Sequence, residues 1–227
     1  MSEPAPNQTG GSARMLLLGV FLIGVLLLAL VMVLNLRDTL NAPAPTPTFA
    51  PTVQGIMPVN PPMPLTDFAF PASRGGTLGL SDLRGAYTLM FFGYTNCPDF
   101  CPLTMMEYRR IKERLGEDAD AVNFVFVSVD PERDTPERLA TYLARYDPAF
   151  IGLQGDDDTL ERIAGEYGLQ FERRYEDAGS TGNYPVDHTT QSYLIDAQGR
   201  LRAIFRYGTS VASMADHIQQ LMAEDAA

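Results

Sequence analysis

Two cysteines and two histidines are the only thiols and imidazoles in this 227-residue chain, so sulfur or imidazole chemistry falls to very few side chains. Cys97 and Cys101 lie in TNCPDFCP. If a helix opens in this segment, four residues make little more than one turn, and both sulfurs face the same way. The helix rise then sets the α-carbons about 6 Å apart, close enough for a disulfide or for both sulfurs to grip one metal ion. A helix amino terminus favours negative charge and lowers the pKa of a thiol placed there. Thiolate is the form that binds metal or attacks a disulfide. A purely structural staple across so short a loop removes little chain entropy. The thiol pair alone leaves metal binding and thiol–disulfide exchange both open. His188, in VDHTTQSYLID, brings an imidazole from far along the chain. Two thiolates and an imidazole suit copper in either oxidation state, and zinc as well.

The elements that must bring these groups together are written in the apolar runs. Tyr87–Tyr94 (YTLMFFGY) and Val122–Asp130 (VNFVFVSVD) read as strands covered on both faces. Between them a helical pattern starts near Pro102, carries Leu103, Met106, Ile111 and Leu115, and ends at Gly116. Strand, helix and strand at this spacing imply parallel pairing. Cys97 and Cys101 then sit at a strand's carboxyl end, where open α/β sheets bind ligands. Pro136 opens a second helix through PERLATYLARY, Phe150–Leu153 reads as a short strand, and Asp157–Tyr167 as a third helix. Gln191–Asp196 and Leu201–Tyr207 flank AQGR, a hairpin turn with Gly199 where positive φ is wanted. Val211–Met222 closes the chain as an amphipathic helix. The pattern predicts an α/β, thioredoxin-like fold, a central mixed sheet flanked by helices. In such a fold the loop before the third core strand faces the cysteines and usually holds a cis-proline. Alignment on Leu194, Ile195 and Asp196 puts Thr190 in that place, and the loss of proline with His188 nearby moves the site toward metal binding.

The formal charge of -11 belongs almost wholly to the part after residue 64, because Glu3, Arg14, Arg37 and Asp38 cancel. An acidic domain repels phosphates, which argues against nucleic acid. Met15–Leu34 is twenty residues without a polar side chain, and as a helix it would span about 30 Å, the thickness of a bilayer core. Asn35, Leu36, Arg37 and Asp38 follow directly, unlike a signal-peptide cleavage site. Arg14 and Arg37 balance the positive-inside rule, and a short tail before a large domain favours domain-out. Asn41–Pro64 holds eight prolines and no charge, which reads as an extended spacer. The expected organisation is a tail (1–14), a transmembrane anchor (15–36), a Pro-rich linker (37–64) and a thioredoxin-like domain (65–227). Met57 and Met63 read as ordinary linker residues.

GYTNCPDFCP, VSVDPERDTP and YPVDHTTQSYLID, in this order, resemble the Sco/SenC family of copper-binding proteins over roughly Leu65 to Met222. The resemblance implies a thioredoxin fold with copper, Cu(I) or Cu(II), held by Cys97, Cys101 and His188. It also implies an anchored protein of the cell inner membrane with its domain on the periplasmic side. Its expected partner is cytochrome c oxidase subunit II, whose dinuclear copper site it would help to build. Other copper chaperones or thioredoxin-like reductants are further expected partners. The rival expectation is a thiol–disulfide oxidoreductase that keeps the partner's cysteines reduced, with Cys97 attacking, Cys101 resolving and a Cys97–Cys101 disulfide in the oxidised form.

Several neighbours complete the expected site. Asp130 follows the second strand at the cysteines' sheet edge, placed to tune the site or contact the partner. Asp134, two residues before Pro136, reads as a helix cap. Asp187 is placed beside His188 to orient its imidazole. Met105 reads as core, and His217 as solvent-facing.

Overall fold

The computed structural model describes residues 24–37, 48–49, 55–179 and 183–226. The chain divides into two units, Met1–Thr46 and Pro47–Ala227. The first contains helix α1 (residues 24–37), whose Leu26, Leu28 and Met32 are exposed. The expected anchor begins earlier, and its residues 15–23 lie outside the described residues. Among the described residues, no helix is long and apolar enough to cross a membrane.

The second unit is built on a seven-stranded mixed sheet. From edge to edge it takes β1 (Thr48–Phe49), β2 (Ile56–Pro64), β11 (Arg200–Phe205), β10 (Ser192–Ile195), β5 (Tyr87–Gly93), β6 (Val122–Ser128) and β7 (Ile151–Gln154). Strands β5, β6 and β7 are parallel, whereas β10 runs antiparallel to β5 and β11. Two small ribbons stand apart, β3 (Ala69–Pro71) with β4 (Thr77–Gly79), and β8 (Phe171–Arg173) with β9 (Val186–His188). Helix α2 (Phe100–Leu115) links β5 to β6, and α3 (Pro136–Leu143) links β6 to β7. Helix α4 (Asp157–Tyr167) follows β7, and α5 (Val211–Asp225) closes the chain. This is the thioredoxin-like arrangement expected.

Every residue of β5 is buried, because helices cover both of its faces. On one face Phe91 meets Phe126, where α2 adds Tyr108 against Phe124 and α3 adds Tyr142. On the other, Phe92 and Tyr193 pack edge-on against Tyr167 of α4. Helix α3 starts where the Thr135 hydroxyl accepts from the Arg138 amide, with Pro136 in the first turn. In the β10–β11 hairpin, the Asp196 carboxylate accepts from the amides of Gln198 and Arg200 while Gly199 takes φ +82°.

Two expectations need correction. Residues 56–64, read as the end of the linker, form β2, which pairs with β11 from Ile56 opposite Phe205 to Pro64 opposite Arg200. The strand buries Ile56 and Val59. With the two residues of β1 on its outer side among the described residues, β2 lies one strand from the sheet's edge, near the place where a sheet tolerates proline. His217, expected to face solvent, is half-buried beside Phe205. Its Nε2 is enclosed without a hydrogen-bond partner, and burial lowers its pKa.

Strand register decides where the chemistry falls. Gly93 pairs with Ser128, so β5 and β6 end together, and Ser192 opposite Phe91 brings the start of β10 to the same edge. The loops after β5 and β6 and the loop before β10 therefore converge.

Candidate metal centre

The turn after β5 carries Cys97, and the first turn of α2 carries Cys101. Helix α2 begins with no side-chain cap, leaving its first amides unsatisfied. The Cys101 amide lies 3.5 Å from Cys97 Sγ and donates to it. Both cysteines are free thiols, Cys97 half-buried and Cys101 fully buried. The Cys101 thiol's hydrogen bond pulls the Cys97 pKa down to about 3 against the effect of burial, with the amides of Cys101 and Asp99 adding to it. Burial pushes the Cys101 thiol well above its ordinary value, and the charge on Cys97 pushes it further. The resting pair is thus one thiolate and one thiol.

His188 ends β9, opposite Phe171 of β8. Its Nδ1 lies 2.8 Å from the Thr189 carbonyl oxygen. A carbonyl only accepts, so Nδ1 carries the proton and Nε2 keeps a lone pair. That Nε2 is 3.5 Å from Cys101 Sγ. Thr189 is itself pinned, its amide donating to the Gln170 carbonyl at 3.0 Å and its hydroxyl accepting from the Gln170 amide at 3.0 Å. Phe91 and Tyr94 flank the imidazole edge-on.

The three candidate ligands from sequence are therefore together. Cys97, Cys101 and His188 offer donor atoms within 4.8 Å of one another. Bonds of about 2.0–2.3 Å place donors around a three-coordinate ion about 3.5–4 Å apart, so modest side-chain rotation closes the set. Two soft sulfurs and an imidazole nitrogen with a free lone pair fit copper.

The auxiliary residues hold different posts from those expected. Asp187 does not orient the imidazole. Strand alternation turns it outward, where its carboxylate pairs with Arg174 at 3.1 Å, and the Thr189 carbonyl takes its expected place. Asp134 is not a helix cap; Thr135 is. Fully buried, Asp134 accepts from the Thr95 amide at 2.8 Å, the Thr95 hydroxyl and the Ser128 hydroxyl at 2.7 Å. It fastens the Cys97 loop to the end of β6, and its burial raises its pKa despite those bonds. Asp130 is also fully buried and so presents nothing to a partner. Its carboxylate pairs with Arg133 and accepts from the Tyr184 hydroxyl at 2.8 Å. The Arg133 guanidinium stacks on the Tyr184 ring at 3.6 Å and donates to the Tyr184 carbonyl at 2.8 Å. Together they tie down the segment that leads into β9 and His188. Met105 is core.

Gly93 has a role that sequence reasoning missed. A Cβ there would stand 2.9 Å from Cys101 Sγ and 2.7 Å from the Phe91 ring, so the thiol occupies the space a side chain would fill. A glycine inside an apolar strand run is the signal of such close approach. Nothing in the sequence marks Arg133 or Tyr184.

Residues 61–223 match the SCO1/SenC family. A SCO2-like protein of Rickettsia conorii is 32% identical over 153 residues, 67% of this chain and 74% of that protein. The human mitochondrial SCO1 homologue is 31% identical over 144 residues, 61% of this chain and 47% of that protein. This chain thus spans about three quarters of the first relative and about half of the second. Among solved structures, copper-bound ScoI of Bradyrhizobium japonicum is 34% identical with a TM-score of 0.62, covering 69% of this chain and 98% of that one. Copper-bound ScoI of Arabidopsis thaliana is 27% identical with a TM-score of 0.64, covering 70% and 98%.

Proposed function

Because the chain belongs to the SCO1/SenC family, we propose that it binds copper through Cys97, Cys101 and His188 and assists assembly of the dinuclear copper centre of cytochrome c oxidase subunit II. The observation that carries this reading is the convergence of two sulfurs and one imidazole nitrogen from distant parts of the chain. Three ligands suffice to hold a soft ion and leave a side open for ligand exchange with a partner. Copper is cargo in this reading. Cys97 supplies a ready thiolate, Cys101 releases its proton on binding, and Nε2 of His188 offers its lone pair. The anchor remains part of the proposal: the apolar run Met15–Leu34, with the exposed apolar side chains of residues 24–37, supports a single-pass protein of the inner membrane with a periplasmic domain.

Copper titration of the reduced protein tests the site. Cys97→Ser, Cys101→Ser and His188→Ala should each lose tight binding, and added cupric ion should give a sulfur-to-copper charge-transfer band in the parent. A His188→Ala variant that takes up copper like the parent defeats the reading. The second reading, thiol–disulfide exchange that keeps the partner's cysteines reduced, is favoured by the Cys97 thiolate standing beside a buried thiol. It needs no imidazole ligand, so the same His188→Ala titration separates the two.

A further inference from the structure

The imidazole of the candidate site does not sit on the main sheet. His188 ends β9, and β8 with β9 form a ribbon of their own outside the seven-stranded sheet. The ladder that places Cys97 at the end of β5 therefore does not fix the reach from the thiols to the imidazole. Thr189 is pinned to Gln170 within the same ribbon, which leaves the ribbon itself to be held. On the β8 side, Arg173 donates to the Val129 carbonyl at 2.7 Å.

On the β9 side, a hydrogen bond runs directly between the two ligand-bearing segments. Asn96, immediately before Cys97, donates from Nδ2 to Asn183 Oδ1 at 2.9 Å, across 87 residues of chain. The same Asn183 oxygen accepts from Arg133 Nη1 at 3.0 Å, and Asn96 Oδ1 accepts from Arg138 Nη2. A guanidinium only donates. Asn183 must therefore turn its oxygen to Arg133, and Asn96 its oxygen to Arg138, which leaves the Asn96 amide for Asn183. Both carboxamides are thus oriented in one consistent way. The two ends of the chain are fastened to the scaffold. Arg138 Nε donates to the Thr95 hydroxyl at 2.7 Å, and Arg133 pairs with the buried Asp130. Arg133 also lies 5.6 Å from the centre of the Tyr94 ring, which flanks His188.

We propose that Asn183, holding Asn96 and Arg133 on one carboxamide oxygen, is a positioning residue that sets the reach between the thiol pair and the imidazole, and so how tightly copper is kept. The proposal rests on the copper reading above and adds what holds His188 to the cysteines. Asn183 is exposed, so its bonds can open without disturbing the core. Opening them frees the segment that leads into β9 and lets the imidazole draw back from the two sulfurs.

The test uses the full chain in detergent, reduced and copper-free, and compares Asn183→Leu with Asn183→Asp. Leucine removes the acceptor from both donors, whereas aspartate keeps it. Amide hydrogen exchange across 183–190 should speed up about tenfold in Asn183→Leu, the effect of losing about one hydrogen bond. Exchange in β5 and β6 should stay as in the parent. In a second arm, Asn183→Leu loaded with cuprous ion should yield it to a competing chelator at about tenfold lower chelator concentration. Asn183→Asp should match the parent in both arms. Parent-like behaviour of Asn183→Leu overturns the proposal, and so does an aspartate variant as loose as the leucine one. A rise in exchange spread evenly over the domain also overturns it, because Asn183 would then serve only general stability. A parent that takes up no copper removes the copper reading, while the exchange arm still supports or sinks the clasp.

Discussion

At Cys97 and Cys101 two identical side chains, four residues apart across the turn into α2, have their pKa values driven in opposite directions. Cys97 receives a thiol and two amides, while Cys101 receives burial and a neighbouring negative charge. Cys97 should therefore react with iodoacetamide at about pH 5, where an ordinary thiol is inert. Cys101 should stay unmodified in the folded protein, and peptide mapping reads both. The same shift has a consequence for stability. Between about 3 and the ordinary 9.0 the unfolded thiol holds a proton that folded Cys97 has shed. The contribution of Cys97 to stability thus rises with pH through that window and is lost as pH falls toward 3. Cys101 works in the other direction above 9.0, where the folded state keeps the proton. The ligands were legible in sequence because cysteine and histidine are scarce here and their spacing is meaningful. Asp187 was misread because adjacency in sequence is not adjacency in a strand, where neighbours point to opposite faces.

Elements hold these residues by tying loop to loop rather than by packing alone. Asp134 joins the Cys97 turn to β6 through Thr95 and Ser128, and Asp130 with Arg133 joins β6 to the segment before β9. Asp134→Ala leaves a half-buried amide and a buried hydroxyl without their acceptor. It should cost about 3 kcal/mol, read as a lower denaturant midpoint at unchanged slope. Most elements were legible, since β5 and β6 are largely apolar runs and α2 and α4 have clear stops. The ties were not. A buried carboxylate that serves a loop is indistinguishable in sequence from one that caps the next helix, and Asp134 stands one residue before the true cap. Segment 183–188 carries no periodicity that would place Tyr184 against Asp130.

Across the whole second unit, the error in reading residues 56–64 has a measurable form. A chain begun at Leu65, where the Pro-rich stretch ends, lacks β2. It leaves β11 unpaired along one side and uncovers the surface that Ile56 and Val59 bury. It should melt well below a chain begun at Pro47, by calorimetry or circular dichroism. Proline content argued against a strand there, and only the near-edge position reconciles the two, a fact that belongs to the sheet order and not to the segment. That order also fixes the direction of β1. Thr48 lies opposite Asn60 and Phe49 opposite Val59, so β1 runs toward the end of the sheet where Phe205, Ser192 and Phe91 align beside the ligands. Its backbone direction, like that of β5 and β6, thus points at the ligand-bearing end of the sheet.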